Sequence, residues 1–157
     1  MAGIGVCCIG ARMITVRNIT EDGQPLFGKY DIHLDGARIG DLEYSSEDGT
    51  FHIDSMWIDE SHRGLGIAEQ SLRLILEERT ESQIECHIIS MQSLKFFVKV
   101  LGLPFHIENR FIENDFNNLP FDEFIEVAKE YLVEFVEIDD NGNFNYKDWF
   151  VLKFHKK

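Results

Sequence analysis

Two closely spaced glycines mark the part of this 157-residue chain that is best suited to chemistry. Gly64 and Gly66 follow an apolar segment and precede a helical pattern, and they remove side chains where a ligand could touch the backbone. The amides of residues 64–68 would then lie at a helix N-terminus, where N–H groups lack partners and the helix dipole is positive. This arrangement predicts a phosphate or pyrophosphate site. The alternative is an ordinary turn, because the pattern is neither the dinucleotide-binding Gly-x-Gly-x-x-Gly nor a P-loop.

An ionisable pair precedes the glycines on the same segment, whose residues 50–58 alternate in the manner of a strand. One face of that strand would carry His52, Asp54, Met56 and Ile58. Histidine readily exchanges protons near neutral pH, so His52 could relay a proton from a substrate ammonium while Asp54 attracts the cation. The alternative for both residues is a structural role on the strand.

Several motifs occur in an order that resembles one known family. The pattern Arg63-x-x-Gly66-x-Ala68, between a strand and a helix, resembles the acetyl-CoA-binding motif of the GNAT superfamily of N-acyltransferases. Residues 35–42 and 50–59 resemble the third and fourth strands of that family, and residues 90–103 resemble the helix after its fifth strand. The resemblance covers about residues 13–103 and the last strand. It implies an α/β (α+β) fold with a mixed, twisted central sheet of about six or seven strands flanked by helices.

The resemblance also implies a cosubstrate and a reaction. Acetyl-CoA would donate its acetyl group to a primary amine, which attacks the thioester directly in a ternary complex. Backbone groups of Met56 and Ile58 would hold the pantetheine arm, and the glycine turn would hold the pyrophosphate. The implied cofactor-binding residues are Met56, Trp57, Ile58, Arg63, Gly64, Leu65, Gly66, Ile67, Ala68 and Phe97. No metal is expected.

The catalytic residues are less regular than the binding motif. Aralkylamine acyltransferases of this superfamily carry a histidine pair at the positions that match His52 and Asp54. The usual general acid is a tyrosine, but Phe97 stands in its place and has no proton to donate. We therefore expect Ser90 or water to protonate the leaving thiolate, so that the catalytic candidates are His52, Asp54 and Ser90. The alternative is a GNAT-like protein without turnover that binds CoA or serves as an acidic interaction module.

The formal net charge of -13 favours a cationic partner and disfavours nucleic acid and anionic membranes. Residues 108–143 carry 11 acidic side chains against only Arg110 and Lys129. We therefore expect the acceptor to be a small cationic amine or a lysine-bearing protein, with no nucleic-acid or membrane partner. A merely solvated acidic surface is the alternative, and a homodimer remains open.

Three cysteines, Cys7, Cys8 and Cys86, form an odd count without metal-ligand spacing, which predicts reduced thiols and a cytoplasmic protein. No apolar run is long enough to cross a bilayer. The folded pattern begins at Met13, so residues 1–12 are expected to be a leader that need not be ordered.

Residues 13–157 are expected to form a single domain. Strands are predicted over residues 13–19, 26–34, 37–44, 50–58, 84–88, 105–112 and 149–154, and helices over residues 65–76, 91–101 and 121–135. Residues 20–25 are too few for the two helices that this family places between its first two strands. The acidic segment of about residues 113–146 would be a helical insertion between the last two strands. Residues 137–148 match a calcium loop only in part, and a hairpin turn is the favoured interpretation.

Overall fold

A computed structural model describes residues 3–20, 26–102, 104, 106–108, 113–114, 122–123, 126, 130, 137–145 and 150–156. These residues belong to two compact units, Met1–Ser82 and Gln83–Lys157. Within the part of the chain so described, no helix has the length and apolar character that crossing a bilayer requires.

Unit 1 is an antiparallel meander covered by one helix. Its strands are β1 (Ile4–Ile9), β2 (Arg12–Asn18), β3 (Phe27–Leu34), β4 (Ala37–Glu47) and β5 (Thr50–Ile58), and each pairs with the next. The β3–β4 connection is a two-residue hairpin, with Leu34 opposite Ala37. Asp35 and Gly36 both have positive φ there, as a tight hairpin turn demands. The core face carries fully buried side chains that include Ile14, Tyr30, Leu42 and Phe51.

Residues 1–12 were expected to be a leader, but Ile4–Ile9 form strand β1. Residues 4–9 pair antiparallel with β2 from Ile4 opposite Arg17 to Ile9 opposite Arg12. The short β1–β2 turn contains Gly10 with φ of 59°. Strand β1 has the sequence Ile-Gly-Val-Cys-Cys-Ile, which the sequence interpretation did not count as a strand.

A β-bulge interrupts β5 in the middle. Glu43 of β4 pairs with Ser55, but its neighbour Tyr44 pairs with Ile53, so Asp54 is the additional residue. Before the bulge the core receives Phe51 and Ile53, and after it the core receives Ile58. The strict alternation predicted for this strand is therefore wrong, because one inserted residue exchanges the two faces.

Helix α1 (Ile67–Glu78) follows the glycine turn and packs against β1 and β2. Its buried side is formed by Ile67, Ser71, Leu72, Leu74 and Ile75. The chain leaves the helix at Arg79, whose backbone is extended. Arg79 and Glu81 form an ion pair in which both side chains are largely buried.

Unit 2 begins with β6 (Gln83–Ile88), continues into α2 (Met91–Leu101) and closes with β11 (Phe150–His155). Strand β11 lies between β6 and β7 (His106–Glu108), antiparallel to both, and β7 also pairs with β8 (Glu113–Asn114). Helix α2 has the predicted bounds and ends at Gly102. Within the predicted strand 105–112, the structure describes only residues 106–108.

The insertion contains helical residues. Asp122, Glu123, Glu126 and Glu130 are helical and exposed, and the rest of the predicted helix 121–135 lies outside the described residues. The helical insertion between the last strands is in agreement with the prediction. Further on, β9 (Glu137–Ile138) and β10 (Phe144–Asn145) form a two-stranded antiparallel hairpin, which confirms the hairpin interpretation of this segment.

Candidate functional site

The turn between β5 and α1 exposes backbone on the side where side chains are missing. After a 3₁₀ turn at Glu60–His62, Gly64 and Gly66 both adopt φ of 79°, a left-handed conformation that favours glycine. A Cβ atom built on either glycine would meet no atom within 4 Å. Both positions therefore face open space, and a ligand can approach the main chain there.

The backbone donors of this turn are available. Gly66 is the N-cap of α1 and provides no side-chain hydrogen bond to the helix. Among the described residues, none accepts a hydrogen bond from the amides of residues 64–68. The positive end of the helix dipole adds to these N–H groups, so the turn has the donors and the charge that an anionic phosphate needs.

Arg63 is held in place at the edge of this turn. Its Nε donates to the carbonyl oxygen of Ile58 at 2.8 Å, which connects the turn to the end of β5. The two terminal nitrogens of the guanidinium make no hydrogen bond to a described residue, so they remain available for an anion. The predicted role of Arg63 at the pyrophosphate is compatible with this geometry.

A polar cluster beside the turn was not predicted. Asp59 Oδ2 accepts a hydrogen bond from Ser61 Oγ at 2.8 Å and lies 3.2 Å from His62 Nδ1. The hydrogen bond from the Ser61 hydroxyl is the largest cause that lowers the pKa of the Asp59 carboxyl below its usual 3.8, and the hydrogen bond with His62 lowers it further. The pattern Asp-x-Ser-His could have indicated this cluster, because short polar side chains before a helix often bond within the turn.

The predicted proton-transfer pair is in contact. His52 Nε2 lies 3.5 Å from Asp54 Oδ1, with side-chain exposures of 18% and 39%. The bulge at Asp54 makes the carboxylate accessible while His52 remains half-buried. The predicted pair thus places an exposed carboxylate next to a more protected imidazole.

The other residues predicted to contact CoA differ in exposure. Trp57 and Leu65 are 46% and 53% exposed, whereas Ile58 and Ile67 are 6% and 3% exposed and belong to the core of unit 1. Met56 and Ala68 are half-buried. For Ile58 and Ile67, a role in binding is therefore restricted to backbone groups.

Two predicted residues lie in unit 2. Ser90 is the N-cap of α2: its Oγ accepts from the Ser93 amide at 3.0 Å, and Ser93 Oγ accepts from the Ser90 amide at 3.1 Å. These two hydrogen bonds form a capping box, and Ser90 as a whole residue is 8% exposed. Phe97 is 6% exposed and packs edge-on against Phe96, so little of its ring is open to a ligand.

A cavity of about 300 Å³ opens beside Asp54, entirely within unit 1. It is lined by Ile19, Thr20, Phe27, Gly28, Lys29, Glu43, Tyr44 and Asp54. The sequence interpretation missed all of these except Asp54, because they come from three separate segments that only the meander brings together.

The strand β5, the glycine turn and helix α1 lie in a part of the chain that matches a known protein family. Residues 12–103 match the family model described as "Acetyltransferase (GNAT) family". The chain belongs to the GNAT acetyltransferase family. The predicted resemblance is confirmed, and so is the predicted fold class, a mixed sheet flanked by helices. No curated protein sequence is similar enough to count as a relative of this GNAT chain.

Solved structures share the GNAT fold at low sequence identity. An IAA acetyltransferase from Bacillus cereus ATCC 14579 is 17% identical with a TM-score of 0.59, over 90% of this chain and 99% of its own. The ribosomal-protein-S18-alanine N-acetyltransferase from Escherichia coli is 10% identical with a TM-score of 0.52, over 85% and 71%. A protein from Bacillus anthracis str. Ames, described as a streptothricin acetyltransferase and solved with acetyl coenzyme A, is 13% identical with a TM-score of 0.53, over 86% and 65%.

Proposed function

We propose that this GNAT protein is an N-acetyltransferase that moves an acetyl group from acetyl-CoA to a cationic primary amine. The observation that carries the proposal is the open turn before α1, where two left-handed glycines face open space and the amides of residues 64–68 have no acceptor among the described residues. Such a turn suits a pyrophosphate, and the family supplies acetyl-CoA as the molecule that contains one.

The binding role falls mainly to the backbone. Residues 64–68 would donate N–H groups to the pyrophosphate, and the terminal nitrogens of Arg63 would add a charge-assisted contact. Met56 and Ile58 would align the pantetheine arm through main-chain groups, since the Ile58 side chain is buried. Trp57, Leu65 and Ala68 would complete the surroundings of the cosubstrate, Ile67 would contribute backbone groups only, and the predicted role of Phe97 would be restricted to the small exposed part of its ring.

The proton-transfer role falls to the pair on β5. Bound acetyl-CoA supplies a thioester carbonyl to the attacking amine, so a C–N bond forms and the C–S bond breaks. The attacking nitrogen must first lose a proton from its ammonium form, and His52 would receive it, directly or through water. Asp54, 3.5 Å from His52, would attract the ammonium and stabilise the protonated imidazole.

The leaving thiolate needs one proton, for which Ser90 or water are the candidates. The Ser90 hydroxyl already lies 3.2 Å from Ser93 Oγ within the capping box, which makes water the simpler donor. A second candidate function, CoA binding without turnover, is favoured by one observation: Phe97 has no hydroxyl where the family usually has a tyrosine.

The acceptor is proposed to be a small cationic amine or a lysine-bearing protein, in a cytoplasmic setting and without nucleic acid or membrane. Exposed acidic residues of the insertion, Asp122, Glu123, Glu126 and Glu130, support attraction of a cation. Such attraction is weakened by salt, with a Debye length of about 8 Å at physiological ionic strength. Acetylation of cationic amines should therefore slow as salt rises, and acetylation of anionic amines should not.

Replacing a glycine of the turn tests the binding site. Gly66→Asp adds bulk and negative charge where a phosphate would approach, so calorimetry should show at least a hundredfold loss of CoA affinity, or about 2.7 kcal/mol. Gly10→Asp is the matched control, because Gly10 also has positive φ and open space but lies in the β1–β2 turn. Unchanged CoA affinity in a folded Gly66→Asp protein would refute the assigned site.

Turnover is tested separately. Free-thiol release from acetyl-CoA should be observed with cationic amines and should fall at least tenfold in His52→Ala, consistent with the usual contribution of a general base. Binding of CoA without thiol release from any amine would support the non-catalytic candidate instead.

A further inference from the structure

The cavity of about 300 Å³ in unit 1 has the size of a small-ligand pocket. Its position is informative because Asp54, one of its lining residues, contacts His52 at 3.5 Å. A molecule in the cavity would therefore lie beside the pair that we propose for proton transfer. The cavity is a natural place for the acceptor rather than for acetyl-CoA.

The floor of this cavity is held by hydrogen bonds among hydroxyl and amide groups. Tyr44, which is 5% exposed, accepts from Asn18 Nδ2 at 2.9 Å through its hydroxyl and lies 3.1 Å from Thr20 Oγ1. Thr20 in turn donates to the side-chain carbonyl of Asn18. Gly28 is required above the Tyr44 hydroxyl, since a Cβ built there would lie within 2.3 Å of it. The floor is thus formed before any ligand binds.

The walls combine apolar surface with charge. Ile19 and Phe27 are 41% and 61% exposed, so they offer apolar contact to an alkyl chain. Three charged side chains line the same space: Lys29, Glu43 and Asp54. An alkyl chain with charged ends would satisfy both kinds of surface.

The three charges are not equivalent. Lys29 Nζ lies 3.6 Å from Asp41 Oδ2, so its charge already has a partner outside the cavity lining. Glu43 makes no ion pair with a described residue, and Asp54 contacts only His52 in this way. The lining therefore presents two carboxylates, Glu43 and Asp54, against one ammonium, Lys29, which pairs with Asp41.

We propose that this cavity binds the acceptor and selects a diamine, with Glu43 as the residue that determines this specificity. The proposal rests on the proposed acetyltransferase function. The ammonium that does not react binds to Glu43, the alkyl chain lies against Ile19 and Phe27, and the reacting amine lies beside Asp54 and His52. Glu43 thus distinguishes a diamine from a monoamine of equal length.

The experiment measures binding and turnover independently. Putrescine, butylamine and γ-aminobutyrate are titrated calorimetrically into the full-length protein saturated with CoA, and thiol release from acetyl-CoA is followed with the same amines. Putrescine should bind about tenfold more tightly than butylamine, as one additional charged hydrogen bond in a partly exposed site provides. In Glu43→Gln this advantage should disappear, and butylamine binding should change less than twofold.

A matched variant separates the cavity from the general acidity of the protein. Glu47→Gln removes the same charge from the same strand, four residues further along and outside the cavity lining. It should keep the tenfold preference for putrescine. Loss of the preference in both variants, or in neither, would overturn the role of Glu43.

The remaining outcomes distinguish the two proposals. Preferential putrescine binding without thiol release would support the diamine cavity and refute the acetyltransferase function. Thiol release with equal binding of putrescine and butylamine would do the reverse. Tighter binding of γ-aminobutyrate than of putrescine would overturn the diamine proposal, because it would show that Lys29 rather than Glu43 selects the second end of the acceptor.

Discussion

Helices α1 and α2 begin in opposite ways. Helix α1 follows Gly66 and has no side-chain cap, and no described residue accepts a hydrogen bond from the amides of residues 64–68. Helix α2 follows Ser90 and has a capping box, and its first amide, Met91 N, donates to the carbonyl of Gly142 at 2.8 Å. One helix start is left open and the other is closed by both its own residues and a distant hairpin.

The difference lies in which atoms satisfy the first amides of each helix. A glycine N-cap such as Gly66 is only about a few tenths of a kcal/mol less favourable than a serine N-cap such as Ser90, so α1 keeps its donors open at little loss of stability. Left-handed glycines also cost conformational entropy on folding. The uncapped start of α1, in a chain that closes the start of α2, is compatible with our proposal that the α1 donors bind a pyrophosphate.

Helix α1 is fixed at its other end instead. Arg79, just after the helix, pairs with Glu81 and lies 4.6 Å and 4.9 Å from the ring centroids of Tyr44 and Phe51. Ser46 Oγ donates to Glu81 at 2.9 Å as well. This network connects the helix to β4 and β5, so its N-terminus can remain open without the helix detaching from the sheet.

The largest effect is expected from breaking that network. Glu81→Gln leaves the Arg79 charge largely buried without its ion-pair partner and should lower the free energy of unfolding by about 2 kcal/mol, less than for a fully buried pair. Glu77→Gln, an exposed change on α1, is the control and should stay within about 0.5 kcal/mol. Chemical denaturation measures both, and equal stability of the two variants would show that α1 is not fixed in this way.

The same network predicts a dependence on acidity. Burial alone would raise the pKa of Glu81, but hydrogen bonds from Arg79 and Ser46 outweigh it and hold the pKa below its usual 4.5. Its contribution to stability is thus complete above pH 4.5 and is lost as the pH falls through the lowered pKa. In Glu81→Gln this part of the acid dependence should be missing.

A smaller effect is expected at the closed helix start. Ser90→Ala should lower the free energy of unfolding by about 1 kcal/mol, because the capping box is lost. Ser90→Asn can cap without a hydroxyl and should restore most of that stability. Thiol release measured in both variants separates the roles: recovery in Ser90→Asn identifies a cap, whereas loss in both identifies Ser90 as the proton donor.

The smallest effect is expected at the β9–β10 hairpin, whose Gly142 carbonyl accepts a hydrogen bond from the first amide of α2. The Asp139 carboxylate accepts from the backbone amides of Asn143 and Asn141, and the Asn143 amide is the main cause of its lowered pKa. The closure should persist above pH 3.8 and weaken as the pH falls through the lowered pKa. Hydrogen exchange of the Met91 amide should therefore accelerate in Asp139→Ala at neutral pH, and unchanged protection would show that the hairpin closes α2 without Asp139.

Much of this molecule could be predicted from local patterns. Strand β5 and helix α2 have the predicted bounds, because the apolar pattern that marks each element is contained within it, although the bulge in β5 breaks the strict alternation. The open conformation of the turn at Gly64 and Gly66 could also be predicted, because it depends on consecutive residues.

The remainder depends on contacts between distant segments. Strand β1 was missed because its one glycine and two cysteines become part of a strand only when β2 pairs with them and α1 packs against them. The cavity was missed because Glu43 and Lys29 lie opposite each other only in the β3–β4 register. The roles of Ser90 and Phe97 at a cosubstrate stay predictions, and their burial could not be inferred from spacing alone.

The additional residue in β5 also matters for anyone who aligns this chain with distant relatives. At identities of 10% to 17%, an alignment that overlooks one inserted residue is difficult to detect by score. For residues after Asp54, an alignment shifted by one position would match an inward-facing residue of one protein with an outward-facing residue of the other. Residues before and after the bulge should therefore be aligned as two separate blocks, with Ile53 and Ser55 as the fixed points on either side.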